Sequence, residues 1–149
     1  MNWAATVPAL DSPRTIYLIK QLERAIRAHL EEITKVLGLT AVQYTVLSVL
    51  EQKPGIASAQ LARRSFVSPQ AGHEMVVALE RKGFVVRESD LTNRRVVKLF
   101  ISEQGKRVLE QCHAQVDTLE EQMLLGMQDA ERDQLRSLLE VSIGTLLRS

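Results

Sequence analysis

The sequence predicts a mainly helical fold of the mixed α+β kind, with about six helices and a two- to three-stranded β-element late in the chain. Three observations predict it. Apolar residues recur every three or four positions over most of the chain, which is the period of a helix with one buried face. Between Phe84 and Ile101 that period gives way to two short runs rich in Val, Phe and Ile around a polar turn, the pattern of a hairpin. Just before it stand two short helical stretches separated by only a few residues, the spacing of a helix-turn-helix.

The elements follow in order. Pro8 and Pro13 punctuate a lead-in over residues 1–13, expected to be flexible. From Arg14 the apolar positions Ile16, Ile19, Leu22, Ile26, Leu30, Ile33 and Leu37 predict a long helix that Gly38 ends. Thr40 opens the next helix, and Gln43 three residues on completes a capping box. Lys53-Pro54-Gly55 stops it, and Ile56 is placed for a short strand. Ser58 is read as the cap of a short helix with Leu61 and Ala62 inward and Arg63 and Arg64 outward. After a tight turn, Ser68 caps a second helix with Pro69 at its first position, where a missing N–H costs nothing. Gly72, Met75, Val76 and Leu79 make its inner stripe; Gln70, His73, Glu74 and Val77 face the other way. Strands are expected over Phe84–Ser89 and Arg95–Ile101, joined by Asp90-Leu91-Thr92-Asn93-Arg94-Arg95. Ser102 caps a fifth helix running to about Leu125, and Asp129 is read as the cap of a last, broadly apolar helix.

Composition bounds the class. With 149 residues, 45% apolar and 25% charged, the chain has the make-up of one soluble domain with a real core. No apolar run approaches the ~20 residues of a membrane span. Residues 1–13 lack the basic start and apolar stretch of a signal peptide, so the expected compartment is the cytoplasm, on the nucleoid when bound to DNA. A single cysteine, Cys112, leaves neither an internal disulfide nor a thiolate metal cluster. There is no glycine-rich phosphate loop, no metal-spaced histidine set and no nucleophile with partners, so no cofactor, metal or catalytic residue is expected.

Net charge is only +1, yet its distribution is uneven. Residues 58–98 hold eight basic against four acidic residues, whereas residues 102–149 hold five basic against nine acidic. A basic middle beside an acidic tail points to one surface that meets an anion. A helix-turn-helix can set its second helix in the major groove of duplex DNA. Ser68, Gln70 and His73 supply polar groups for phosphates or base edges, with Glu74 on the same DNA-binding face, and Gln70 can bond both N6 and N7 of adenine. Pro69 and Val77 offer apolar contact to thymine methyls. Ser58, Arg63, Arg64 and Arg81 flank that face, and Asp90, Asn93, Arg94 and Arg95 build the hairpin tip. Arg94 is positioned to enter the minor groove, with Arg95 pairing Asp90 or a phosphate.

These residues resemble a known family. LTAVQYTVLSVL, then SAQLARRSFVSPQAGHEMVVALERKGFVVRESD, then NRRVVKLFIS are similar to the MarR family of bacterial winged-helix regulators, over roughly Arg14 to Leu147. The most specific pieces are LERKGFVVR and the wing motif D-x-x-D-R-R, which here reads D-L-T-N-R-R with Asn93 in place of the second acid. The resemblance implies one domain over residues 14–149, with a DNA-binding part over about 39–101 and dimerisation helices over about 14–37 and 102–149. It implies a homodimer joined through Ile16, Ile19, Leu22, Leu135, Leu139, Ile143 and Leu146. It also implies a repressor of an inverted-repeat site, released by a small aromatic acid or phenol. Ligand positions that match the family's are His29, Ile33, Tyr44, Cys112 and His113. Two alternatives stand beside this reading. One is a redox-responsive regulator using Cys112, although that residue lies on the apolar stripe Val108, Cys112, Val116. The other is a winged helix used for protein contacts.

Overall fold

The structure is a computed structural model that describes residues 13–65 and 67–149. Apart from Pro13, the expected lead-in lies outside the described residues. The elements are α1 (Thr15–Val36), α2 (Ala41–Gln52), β1 (Ile56–Ala57), α3 (Ser58–Arg64), α4 (Pro69–Arg81), β2 (Val85–Ser89), β3 (Val97–Ile101), α5 (Glu103–Met123) and α6 (Asp129–Leu147). They group into two compact units, one ending at Cys112 and one over His113–Ser149, so the division falls inside α5.

Local chemistry sets most boundaries. Gly38 ends α1 with φ +76°. The Leu39 N–H donates to the Thr34 carbonyl at 2.9 Å and that of Gly38 to Lys35 at 3.1 Å, which satisfies carbonyls the helix would otherwise leave open. The Thr40 capping box is present in both directions, each bond 3.1 Å. Ser102 caps α5 by accepting from the Gly105 N–H at 3.0 Å, and its own hydroxyl donates to the Gly83 carbonyl at 2.6 Å.

Two helix starts differ from expectation. Ala57, not Ser58, is the N-cap of α3, and no side chain caps it. The reason is that Ala57 is still paired with Lys98 in the sheet, so the chain passes from strand to helix without a free capping position. Likewise Gln128, not Asp129, caps α6; its N–H donates to the Glu131 carboxylate at 3.0 Å. Asp129 and Glu131 then sit in the first turn, where negative charge suits the helix dipole. The fifth helix also stops at Met123, two residues before Leu125.

The three strands form one antiparallel sheet in the order β1-β3-β2. Ile56 pairs with Leu99, Val85 with Ile101 and Ser89 with Val97. The strands are shorter than expected. The Phe84 N–H is taken by the Leu79 carbonyl at the end of α4, and the turn claims Arg95 and Val96.

The core of the first unit joins Val46, Leu47 and Leu50 of α2, Leu61 of α3, Val76 and Leu79 of α4, Val85 and Leu99 of the sheet, and Leu109 and Cys112 of α5. Each fully buried leucine there contributes about 2 kcal/mol by leaving water. α1 presents Ile16, Tyr17, Leu18, Ile19 and Leu22 to solvent. In the second unit α6 buries no residue and exposes Leu138, Val141, Ile143, Leu146 and Leu147, while Leu135 and Leu139 are half-buried. Among the described residues no single helix is long and apolar enough to cross a membrane.

Candidate nucleic-acid interface

The interface is built on a close approach of α3 and α4. A Cβ placed on Gly72 would stand 2.6 Å from the Ala62 Cβ, nearer than two carbons can come. Glycine at that position therefore lets the two helices touch. With Gly72, Val76 and Leu79 buried inward, Ser68, Pro69, Gln70, His73, Glu74 and Arg81 are exposed, and Val77 is half-buried. Ser68 caps the helix by accepting from the Ala71 N–H at 3.1 Å. The other N–H groups of that first turn, beside Pro69, form the positive end of the helix dipole.

The wing tip is a turn held by its own side chains. The Asp90 carboxylate accepts from the Thr92 N–H at 2.9 Å and from its hydroxyl at 2.7 Å. The Asn93 carbonyl oxygen accepts from the Arg95 N–H at 3.1 Å. Asn93 thus performs the turn-forming task without a charge. These bonds from Thr92, with the Lys98 ammonium 3.8 Å away, hold the Asp90 carboxyl below the ordinary carboxylate range. The expected pairing of Arg95 with Asp90 is therefore replaced: Asp90 is engaged by Thr92 and Lys98. Both Arg94 and Arg95 belong to the turn, not to the returning strand, and both are exposed.

The basic residues separate into two groups that sequence alone does not distinguish. Lys82 donates to the Gly38 carbonyl at 2.6 Å and to the Gln43 side-chain oxygen at 3.1 Å. Arg87 pairs with Glu80 at 2.7 Å, joining β2 to the end of α4. Lys98 serves Asp90. Among the described residues, Arg63, Arg64, Arg81, Arg94 and Arg95 have no such partner, and all five are exposed. Gln43 of the α2 capping box is the side-chain acceptor that Lys82 finds. Ser58, half-buried at the start of α3, contributes no cap and lies beside β1.

An open recess of about 600 Å³ lies between the α2–β1 turn and α3, lined by residues that include Lys53, Gln60, Arg63 and Arg64. None of the five candidate ligand positions lines it. His29 is exposed on α1, Ile33 is half-buried on the same helix, and Tyr44 packs half-buried against the core. His113 is half-buried in the second unit. Cys112 is fully buried, and burial pushes its thiol up from the ordinary value. A reactive cysteine needs the opposite, an exposed thiolate stabilised by positive charge. Among the described residues no group of three or more His, Cys, Asp or Glu side chains is placed to hold a metal ion.

Two helices in close contact, an exposed polar face on the second and a sheet whose tip carries unpaired arginines define a winged helix-turn-helix DNA-binding protein. The MarR family model matches residues 37–96, which run from the end of α1 to the wing tip. The HTH-type transcriptional regulator YybA of Bacillus subtilis is 30% identical over 105 residues, covering 70% of each chain. The HTH-type transcriptional repressor Rv2887 of Mycobacterium tuberculosis is 27% identical over 124 residues, 83% of this chain and 89% of that one. Its structure in complex with salicylic acid superimposes with a TM-score of 0.72 at 26% identity, covering 87% of this chain and 96% of the other. The repressor CouR, solved on a 23-mer DNA duplex, shares the fold with a TM-score of 0.80 at 24% identity, over 87% and 92% of the two chains. The chain belongs to the MarR family and is a DNA-binding transcriptional regulator.

Proposed function

We propose that the protein is a homodimeric repressor that binds an inverted-repeat operator and leaves it when a small aromatic or phenolic acid binds. The observation that carries this reading is the pairing of an exposed polar face on α4 with two exposed wing-tip arginines that have no ion pair among the described residues. Gln70, His73 and Glu74 read base edges in the major groove, with Gln70 on adenine; Ser68 and the α4 N-terminus hold a phosphate. Arg94 enters the flanking minor groove, where negative potential is concentrated. Arg63, Arg64, Arg81 and Arg95 contact the backbone.

The dimer is supported by the apolar residues that α1 and α6 each leave in water. Ile16 is 69% exposed and Leu146 76%, levels unusual for two separate stripes on one small chain. A two-fold axis would set two copies of α4 one DNA turn apart, about 34–36 Å, which requires an inverted repeat. Ile143→Asp tests it cleanly. Ile143 is 57% exposed, so the change costs the single chain little but places a charge in the interface. Sedimentation should show a monomer, and an intact dimer would remove Ile143 from the interface.

Release by an aromatic acid is supported by the salicylic acid complex of the Rv2887 relative. Gel shifts with operator DNA test it: salicylate at millimolar concentration should release the DNA, and an unmoved complex with a panel of aromatic acids would contradict it. A redox switch at Cys112 is disfavoured by its burial. A role confined to protein contacts would show as the lack of salt-sensitive binding to any duplex.

A further inference from the structure

The recess between the α2–β1 turn and α3 is not used by the reading helix or by the wing. Among the described residues its lining has three cationic side chains, Lys53, Arg63 and Arg64, two amides, Gln52 and Gln60, and no acidic residue. Lys53, Arg63 and Arg64 are all exposed, and none has an ion pair among the described residues. Three like charges around one concavity repel one another, and an anion seated among them relieves that repulsion. Basic residues elsewhere in the same unit (Lys82, Arg87 and Lys98) are each tied to an acceptor of the fold. Among the described residues the cations of the recess have no such acceptor.

Its position gives the recess a direction. Arg64 is the last residue of α3, directly before the turn that leads into the N-cap Ser68 of α4. Across the sheet, Ile56 pairs with Leu99, while the tip of the wing lies beyond Ser89 and Val97. The Lys53–Gly55 turn, whose Gly55 N–H bonds the Leu99 carbonyl, therefore leaves the sheet at the end opposite the wing tip. Arg64 of the recess thus leads into the turn before the reading helix, and the arginines of the wing lie at the other end of the sheet.

We propose that this recess is a phosphate-binding site, formed by Lys53, Arg63 and Arg64, that grips the operator backbone on the side of α4 away from the wing. Each protomer then holds the duplex at two separated places, with the reading helix between them. Lys53 is the new element, since the helix-turn-helix geometry by itself gives a residue of the α2–β1 turn no role. The shared chemistry is a phosphate group, from a DNA backbone or from a free phosphate compound. The assignment to DNA rests on the proposed operator binding.

The test is Lys53→Ala, with Lys106→Ala as a control that removes the same charge from α5. Lys53 is exposed and its main chain alone closes α2, so the variant should fold normally. Binding to a selected operator is measured across salt concentrations, and binding of inorganic pyrophosphate to free protein by calorimetry. The expected result is a salt slope lower by about 1 per protomer contact, equal for cognate and altered operators, with Lys106→Ala unchanged. An unchanged slope with pyrophosphate binding lost in Lys53→Ala would keep the phosphate site and assign it to a free ligand. An unchanged slope with no pyrophosphate binding by the wild type, or with binding equal in wild type and variant, overturns the proposal. Loss of slope in both variants also overturns it, because net charge then explains the effect. If the wild type binds no duplex at all, operator binding itself fails, and the pyrophosphate arm still decides the recess.

Discussion

The Lys82 ammonium donates to the main-chain carbonyl of Gly38 at 2.6 Å, which ties the end of the reading helix to the end of α1, forty-four residues earlier in the chain. The same ammonium reaches Gln43 at 3.1 Å, the residue that completes the cap of α2. One cation at the end of α4 thus reaches both the turn after α1 and the cap of α2. Lys82→Met keeps the aliphatic stem and removes these bonds. A charged hydrogen bond is worth about 1.5–3 kcal/mol when buried and less at an exposed site, so a loss of about 1 kcal/mol is expected. Urea unfolding checks it, and a midpoint equal to wild type would show that the strap carries no stability.

Gly72→Ala tests the approach of α3 and α4. The added carbon would lie 2.6 Å from the Ala62 Cβ and 3.2 Å from its Cα, so the helices must part. Overpacking of this kind costs about 1–3 kcal/mol. DNA affinity should fall as well, because α4 shifts against the rest of the unit. Adding Ala62→Gly should recover part of both losses. Strict additivity of the two changes would contradict the contact.

The wing turn should depend on pH only in acid. Bonds from Thr92 and the nearby Lys98 lower the Asp90 pKa. A group lowered on folding stabilises above its unfolded value, about 3.9 for Asp, and loses that contribution as pH falls through the folded value. The turn should therefore be unchanged from neutral pH down to about pH 5 and loosen below about pH 4. NMR of the Thr92 amide against pH reads this directly. A Thr92 shift that titrates near neutral pH would contradict the role of Asp90.

Cys112 should be inert. Its side chain is fully buried and burial raises its pKa, which suppresses the thiolate that peroxide attacks. Stoichiometric peroxide should leave operator affinity unchanged. A peroxide-dependent loss that disappears in Cys112→Ala would restore the redox reading.

Much of this arrangement was legible in the residues. Thr40 with Gln43, Ser68 with Pro69, and the glycines at 38 and 55 mark helix ends because capping and left-handed turns are local chemistry. The starts of α3 and α6 were misplaced for tertiary or competing local reasons. Ala57 is held in the sheet by Lys98, and Gln128 takes the capping place beside Asp129. The fate of the basic residues was the least legible part. Nothing in the local sequence separates Lys82, Arg87 and Lys98, which serve the fold, from Arg63, Arg64, Arg94 and Arg95, which do not. Their partners lie in other elements, and only folding brings them near.

The wing gives a residue-level prediction. Arg94 is exposed and unpaired among the described residues, so Arg94→Ala should leave stability unchanged. It should weaken operator binding and relax the preference for A·T pairs at the flank. A single good base contact is worth about 1–3 kcal/mol, roughly five- to 150-fold in affinity. A uniform loss across all sequences would reassign Arg94 to a phosphate.

Sequencing the duplexes that the purified protein selects from a random pool tests the central reading most directly. The expected product is an inverted repeat with half-sites about one helical turn apart, bound in a strongly salt-dependent way, with A·T pairs enriched where the wing lands. Selection of a single unrepeated site, or no enrichment at all, would contradict it.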